Sequence, residues 1–227
     1  MTMVVSNITT PPRQSPFTPG SPVPIEMFVG RQKQIEEIQK FALQATTGRL
    51  EALFLLGERG IGKSSIASFA RYLISTKINM FGTQVFLGRV TTVDDTVRIV
   101  FEQLLKESKA EKWYSNIATL FGKYIEQVGL FDISIKFNPP KDDLEQIAND
   151  FPKALTSFLE KLDGEKTGLF IALDDIDGLL VNSDFANWFK SFVDKVATSG
   201  GKFPVCIMLI GLPEQRDVLA ELQPSLM

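Results

Sequence analysis

The stretch GERGIGKSS, Gly57 to Ser65, constrains this chain more than any other. It meets the pattern GxxxxGK[ST] at Gly57, Gly62, Lys63 and Ser64, between the apolar run EALFLL and the segment SSIASFARYLIS. In that segment Ile66, Phe69, Ala70 and Leu73 share one helical face. Strand, glycine loop and helix in this order make an anion cradle, because the strand fixes where the loop starts and the helix turns its free amides and dipole towards the ligand. Glycines let the backbone wrap closely around a β-phosphate, and a Cβ at Gly62 would obstruct that approach. Lys63 would reach the β- and γ-phosphates, and the Ser64 hydroxyl would ligate Mg2+. A turn that only links strand to helix has no use for a lysine and a serine at those offsets. The candidate phosphate loop is therefore Gly57, Glu58, Arg59, Gly60, Ile61, Gly62, Lys63, Ser64 and Ser65.

Such a loop needs an acidic partner from another strand. LFIALDD supplies one: its apolar residues suit a buried parallel strand, and Asp174 emerges at the carboxyl end, where open α/β sheets bind ligands. Its expected role is to hold Mg2+ through water. Asp175 is placed to orient or deprotonate an attacking water. Capping or turn formation is the plainer alternative for both, and Asp177 reads as a turn residue. A calcium loop is a poor match, since the EF-hand spacing and closing glutamate are absent.

The remaining segments extend the same alternation. RQKQIEEIQKFALQA, with Ile35, Ile38, Phe41 and Ala42 in phase, predicts a helix stopped by Gly48. QVFLGRVTT predicts a second strand, and Thr92 with Asp95 a capping-box start to the helix DDTVRIVFEQLLKES. EKWYSNIATLFGKYIEQV predicts another helix, FDISIKF a half-buried strand ended by Pro139 and Pro140, and residues 143–162 one long helix kinked at Pro152. SDFANWFKSFVDKVATSGG predicts a helix closed by glycines, and FPVCIMLIGLPE a fourth apolar strand. Strands alternating with helices imply a parallel sheet covered on both faces.

Composition bounds the function. The chain of 227 residues, 44% hydrophobic and 22% charged, can bury a full core. A formal charge of -3 and a pI near 5.2 give no extended basic surface, so any contact with DNA would be local or supplied elsewhere. One cysteine, Cys206, excludes an internal disulfide and reads as a small buried hydrophobe; the absence of histidine excludes the usual zinc sets and histidine triads. Neither a secretory signal nor a run long enough to span a bilayer is present, so the expected location is the cytoplasm, without a membrane. Residues 1–24 hold six of the twelve prolines and predict a disordered arm, with a polyproline ligand for a partner domain as the alternative.

With FVGRQKQIEEI upstream of the loop, then GERGIGKSS, LFIALDD and IMLIGLPEQRDVL, residues 25–227 resemble the AAA+ ATPases, closest to the origin-recognition-like and STAND-type branch. The resemblance implies a three-layer α/β P-loop NTPase domain with a mainly parallel central sheet and ATP with Mg2+ as cofactors. It implies that Phe28, Val29, Gly30 and Arg31 border the adenine pocket. Phe28 and Val29 ahead of an amphipathic helix could equally form a hydrophobic staple. Lys63 and Asp175 become the catalytic pair, Ser64 and Asp174 the metal ligands.

The departures from the family pattern are specific. Asp174-Asp175 stands where many members carry Asp-Glu, and Gly211 occupies the place of a polar sensor residue. Residues from about 94 to 165 form a mostly helical insertion, and the chain stops at LQPSLM where the family continues into a helical lid, so it reads as an N-terminal portion lacking its lid or effector module. Arg89 and Arg216 are the arginines nearest strand ends; they could complete a neighbour's site across a homo-oligomer formed through the nucleotide face, or simply be solvated.

Three functions compete. The first is a Mg2+-dependent ATPase that hydrolyses slowly and works as a conformational or assembly switch. The second is a nucleotide-gated scaffold for DNA or a partner, with negligible hydrolysis, like the AAA+ regulators of transposition that GLPEQRDVL resembles. The third, a small-molecule kinase, lacks an acceptor pocket and a basic lid.

Overall fold

The computed structural model describes residues 22–128, 134–162 and 164–222. Residues 1–21, which contain most of the expected disordered arm, lie outside it, as do 129–133, 163 and 223–227. Four strands, β1 (Leu50–Leu56), β2 (Phe81–Phe86), β5 (Leu169–Asp174) and β6 (Val205–Gly211), form one parallel sheet in the order β1-β6-β5-β2. The two central strands are buried along their whole length, which is why they read as unbroken apolar runs.

Alternate residues of these strands serve two cores. Phe170, Ala172, Cys206, Met208 and Ile210 pack with α1 (Gln32–Ala45) and α2 (Lys63–Leu73) on one face. Leu169, Ile171, Leu173, Val205, Ile207 and Leu209 pack on the other with α3 (Val93–Ser108) and α7 (Asp184–Thr198). The result is a three-layer α/β fold. Cys206 is fully buried, and burial pushes its thiol well above the usual range, as expected of a packing residue. Among the described residues no helix is long and apolar enough to cross a membrane.

The segment between β2 and β5 departs most from the sequence reading. Residues 111–128 are not one helix: α4 (Tyr114–Phe121) ends in a short 3-10 turn, and β3 (Ile125–Val128) pairs antiparallel with β4 (Ser134–Phe137). The cause is tertiary. Pairing brings Phe137 into a ring cluster with Phe101, Phe121 and Tyr124, centroids 5.5 to 5.8 Å apart. β4 therefore lies apart from the parallel sheet, and residues 131–133 of the expected strand fall outside the described ones.

The long helix expected over 143–162 is two, α5 (Lys141–Asn149) and α6 (Phe151–Leu162), separated at Asp150. Pro152 has no N–H for the carbonyl of Ala148, four residues earlier. That carbonyl instead accepts from the Trp188 indole at 2.8 Å, and the Asn149 carbonyl from Lys195 Nζ at 2.7 Å. With both orphan groups satisfied from α7, a full break replaces the kink.

The second strand starts three residues earlier than expected and ends at Phe86 rather than near Thr92. The capping of α3 agrees with the sequence: Thr92 is the N-cap, and its hydroxyl accepts from the Asp95 amide at 3.1 Å. The last helix, α8 (Pro213–Leu222), follows β6 directly.

Gly168, with φ of 157°, leads into β5 where the chain passes against the Pro204 carbonyl, already bonded to the Leu169 amide at 2.9 Å. A Cβ at 168 would fall on that oxygen. Gly168→Ala is expected to destabilise the fold by about 1–3 kcal/mol, seen as a lower urea midpoint at unchanged slope. An unchanged midpoint would show that β5 can shift without cost.

Candidate functional site

Because the strands are parallel, the loop after β1 and the acids after β5 emerge at the same end of the sheet. The loop turns through Gly60 (φ 80°) and Gly62 (φ 93°), left-handed positions that suit glycine. Gly62 is the N-cap of α2 and brings no side chain to its first amides. Lys63 bends back into the loop, its Nζ donating to the carbonyls of Gly57 at 2.6 Å and Glu58 at 3.0 Å. The ammonium thus sits within the curve of the loop.

Asp174 closes β5 on the face that packs against α2, since it is in phase with Phe170 and Ala172. It is only 3% exposed. Its Oδ2 accepts from Gln84 Nε2 at 2.8 Å, and the same amide reaches the Ser64 carbonyl at 3.4 Å. Asp175 follows in a left-handed conformation, φ 63° and ψ 61°, with its carboxylate against the backbone of Gly88. Although exposed, the Asp175 carboxyl is held above the usual range by partial desolvation first and by the neighbouring Asp177 and Asp174; Arg59 works in the opposite sense. Asp177 pairs with Arg59 at 3.3 Å through Oδ2, while its Oδ1 is buried without a hydrogen-bond partner among the described residues.

These groups enclose one cavity of about 290 Å3, lined by Arg59, Gly60, Lys63, Ser64, Asp174, Asp175, Asp177, Gly211 and Leu212. The volume is near the lower end for small-molecule sites. A larger cavity, about 380 Å3, lies at the other end of β1 between Arg49, Val193 and Phe203. It has no carboxylate or hydroxyl side chain in its lining.

Of the residues expected from sequence, Arg59, Gly60, Lys63, Ser64, Asp174 and Asp175 meet in this cavity. Gly57, Glu58, Ile61, Gly62 and Ser65 complete the loop behind it. The Ser65 hydroxyl accepts from the Val23 amide at 3.0 Å, so the chain ahead of α1 runs along α2.

Phe28, Val29 and Arg31 do not line the cavity. The Phe28 ring stacks on Phe69 of α2 at 4.5 Å, Val29 is 90% exposed, and the Arg31 guanidinium lies 3.5 Å from the Ile61 carbonyl. The staple reading is corrected by this arrangement: Phe28 packs on the helix after the loop, and Val29 packs on little. Arg89 and Arg216 are both exposed and form no ion pair among the described residues.

Two residues were missed. Gln84 is a buried amide in the strand FGTQVF, a signal visible in the sequence. Asp177 does sit in a 3-10 turn, as read, but its carboxylate also joins the cavity through Arg59, a pairing 118 residues apart that no local pattern announces.

Residues 27–208 match the family model described as AAA ATPase domain. Among solved structures the fold is similar to the Aeropyrum pernix ORC2 protein, with a TM-score of 0.55 and 13% identity over 87% of this chain and 45% of that one. A Walker-type ATPase of Pyrococcus abyssi matches with a TM-score of 0.43 and 14% identity over 88% of this chain and 49% of that one. The chain thus spans about half the length of these solved proteins. No curated protein matches it.

Proposed function

The chain belongs to the AAA ATPase domain family, and we propose that it binds ATP with Mg2+, hydrolyses it slowly and uses the cycle as a conformational or assembly switch. One observation carries this reading: Lys63 and Ser64 from the first βα unit and Asp174 from a separate strand open onto one cavity. The Aeropyrum pernix ORC2 protein, described in ADPNP and ADP complexes, supports an adenine nucleotide as the ligand.

The donor set fits magnesium. Among the described residues no three His, Cys, Asp or Glu side chains converge as a self-sufficient metal site. Mg2+ asks for less from the protein: one or two carboxylates, with phosphate and water completing the shell. Ser64 and Asp174 would hold it, and the ion would neutralise charge on the phosphates.

The chain's own groups do the rest. Lys63 exchanges its two carbonyl partners for β- and γ-phosphate oxygens, which hold charge better. The loop beyond Gly57, whose own amide donates to the Gly211 carbonyl at 3.3 Å, presents its backbone amides to the phosphates. Asp175, at the mouth of the cavity, orients the attacking water and accepts its proton; its raised pKa brings it nearer to a base that works at neutral pH. Phe28, Val29 and Arg31 lie outside this cavity, so an adenine ring would reach them only by extending past the loop, where Arg31 lies 3.5 Å from the Ile61 carbonyl.

Purified chain incubated with ATP is expected to release ADP and free phosphate in equal amounts with Mg2+ and neither with EDTA. Phosphate transferred to an acceptor would replace this reading with a kinase. Nucleotide-dependent DNA binding that falls steeply with salt, with negligible turnover, would favour the scaffold.

A further inference from the structure

Gln84 is an amide at 6% exposure in the middle of an edge strand, and such a group needs a reason to be there. In the β2–β5 register it lies opposite Ala172, and Phe86 opposite Asp174. In-register residues of parallel strands share a face, so Gln84 and Asp174 both turn to the α2 side, with Asp174 nearer the cavity. Gly82, two residues back on the same face, lets α2 come close, since a Cβ there would lie 2.8 Å from Arg71 Cγ. Gln84 Nε2 then spans the gap, 2.8 Å from Asp174 Oδ2 and 3.4 Å from the Ser64 carbonyl. No other hydrogen bond reaches the Asp174 carboxylate among the described residues. One amide therefore ties the acid of one strand to the hydroxyl-bearing residue of the phosphate loop.

We propose that Gln84 is a positioning residue that acts through Asp174 and Ser64, fixing the rotamer of the carboxylate and its distance from the Ser64 backbone so that the two present themselves together to a Mg2+–nucleotide. The inference rests on the nucleotide reading of the cavity. Its logic is that of an outer-shell partner: by occupying Oδ2, Gln84 reserves the other carboxylate oxygen for the ion side. Without the amide, Asp174 keeps its charge and burial but loses its fixed orientation.

The test is a titration of purified chain with a fluorescent ATP analogue, in Mg2+ and in EDTA. Gln84→Met keeps the length and removes the donor; Gln84→Asn keeps the amide but draws it out of reach, and serves if the methionine variant melts early. In wild type, Mg2+ is expected to tighten binding. In either variant that magnesium-dependent gain is expected to fall about 10-fold or more, with affinity in EDTA unchanged. A folded variant with the full magnesium gain overturns the inference. So does an equal loss in both buffers, which would mean a structural role only. Wild type that binds no nucleotide in either buffer removes the nucleotide reading itself, and the inference with it.

Discussion

Replacing Lys63 by alanine is expected to weaken ATP binding by about 100-fold or more, while leaving the fold intact. A hydrogen bond to a charged group contributes about 1.5–3 kcal/mol, and an ammonium bridging two phosphate oxygens makes at least two. A loss of about 3 kcal/mol is already a factor above 100 in affinity. The fold should tolerate the change because Lys63 is the first residue of α2, where alanine is a good helix former, and its side chain lies in the loop rather than in either core. The bonds lost internally are those to the Gly57 and Glu58 carbonyls, which can turn to water at the cavity mouth. Lys63→Arg should not rescue binding. A planar fork is longer and differently shaped, and it would have to fit a curve closed around a point charge. Labelled-nucleotide titration alongside a thermal melt separates the two effects: unchanged binding in Lys63→Ala overturns the phosphate-loop assignment, and a matching fall in melting temperature would point to misfolding instead.

The loop could be read from sequence because each of its parts is local. A buried strand, glycines at fixed offsets and a helix with one apolar face need no knowledge of the rest of the chain, and Asp174 follows from the same kind of run in β5. What escaped reading depends on distant partners. The strand β3 forms because Phe137 finds the rings of α3 and α4, not because its own residues alternate. Pro152 announces a disturbance, but whether the helix bends or breaks is decided by the Trp188 indole on the Ala148 carbonyl, 40 residues away. Gln84 and Asp177 share this character: each is a single polar residue whose meaning lies in a contact with Asp174 or Arg59 across the fold. Local chemistry marks where phosphate would sit, and long-range pairing sets how the groups around it are aimed.

That division bears on Asp175→Asn, for which turnover is expected to fall by a factor of about 100 to 10,000 with ATP affinity retained. The substitution is a clean one. Asp175 sits at φ 63°, a left-handed conformation that asparagine adopts as readily as aspartate, so the backbone between β5 and the following turn has no reason to move. The side chain keeps its size against Gly88, where a Cβ would collide with the carboxylate. What disappears is the capacity to accept a proton from water. Binding should be unaffected, because phosphate contacts belong to Gly57–Ser65 and the buried acid is Asp174, one residue earlier and on the other side of the strand end. Removing a negative charge beside the phosphates could even tighten ATP slightly, so slow turnover with equal or stronger binding is the signature. Asp174→Asn should behave differently: it strikes the carboxylate that Gln84 holds, and its loss should appear in the magnesium dependence of binding. If Asp175→Asn turns over ATP at the wild-type rate, the base lies elsewhere, and the Asp177 carboxylate, with one buried oxygen free of hydrogen bonds among the described residues, is the next group in the cavity to replace.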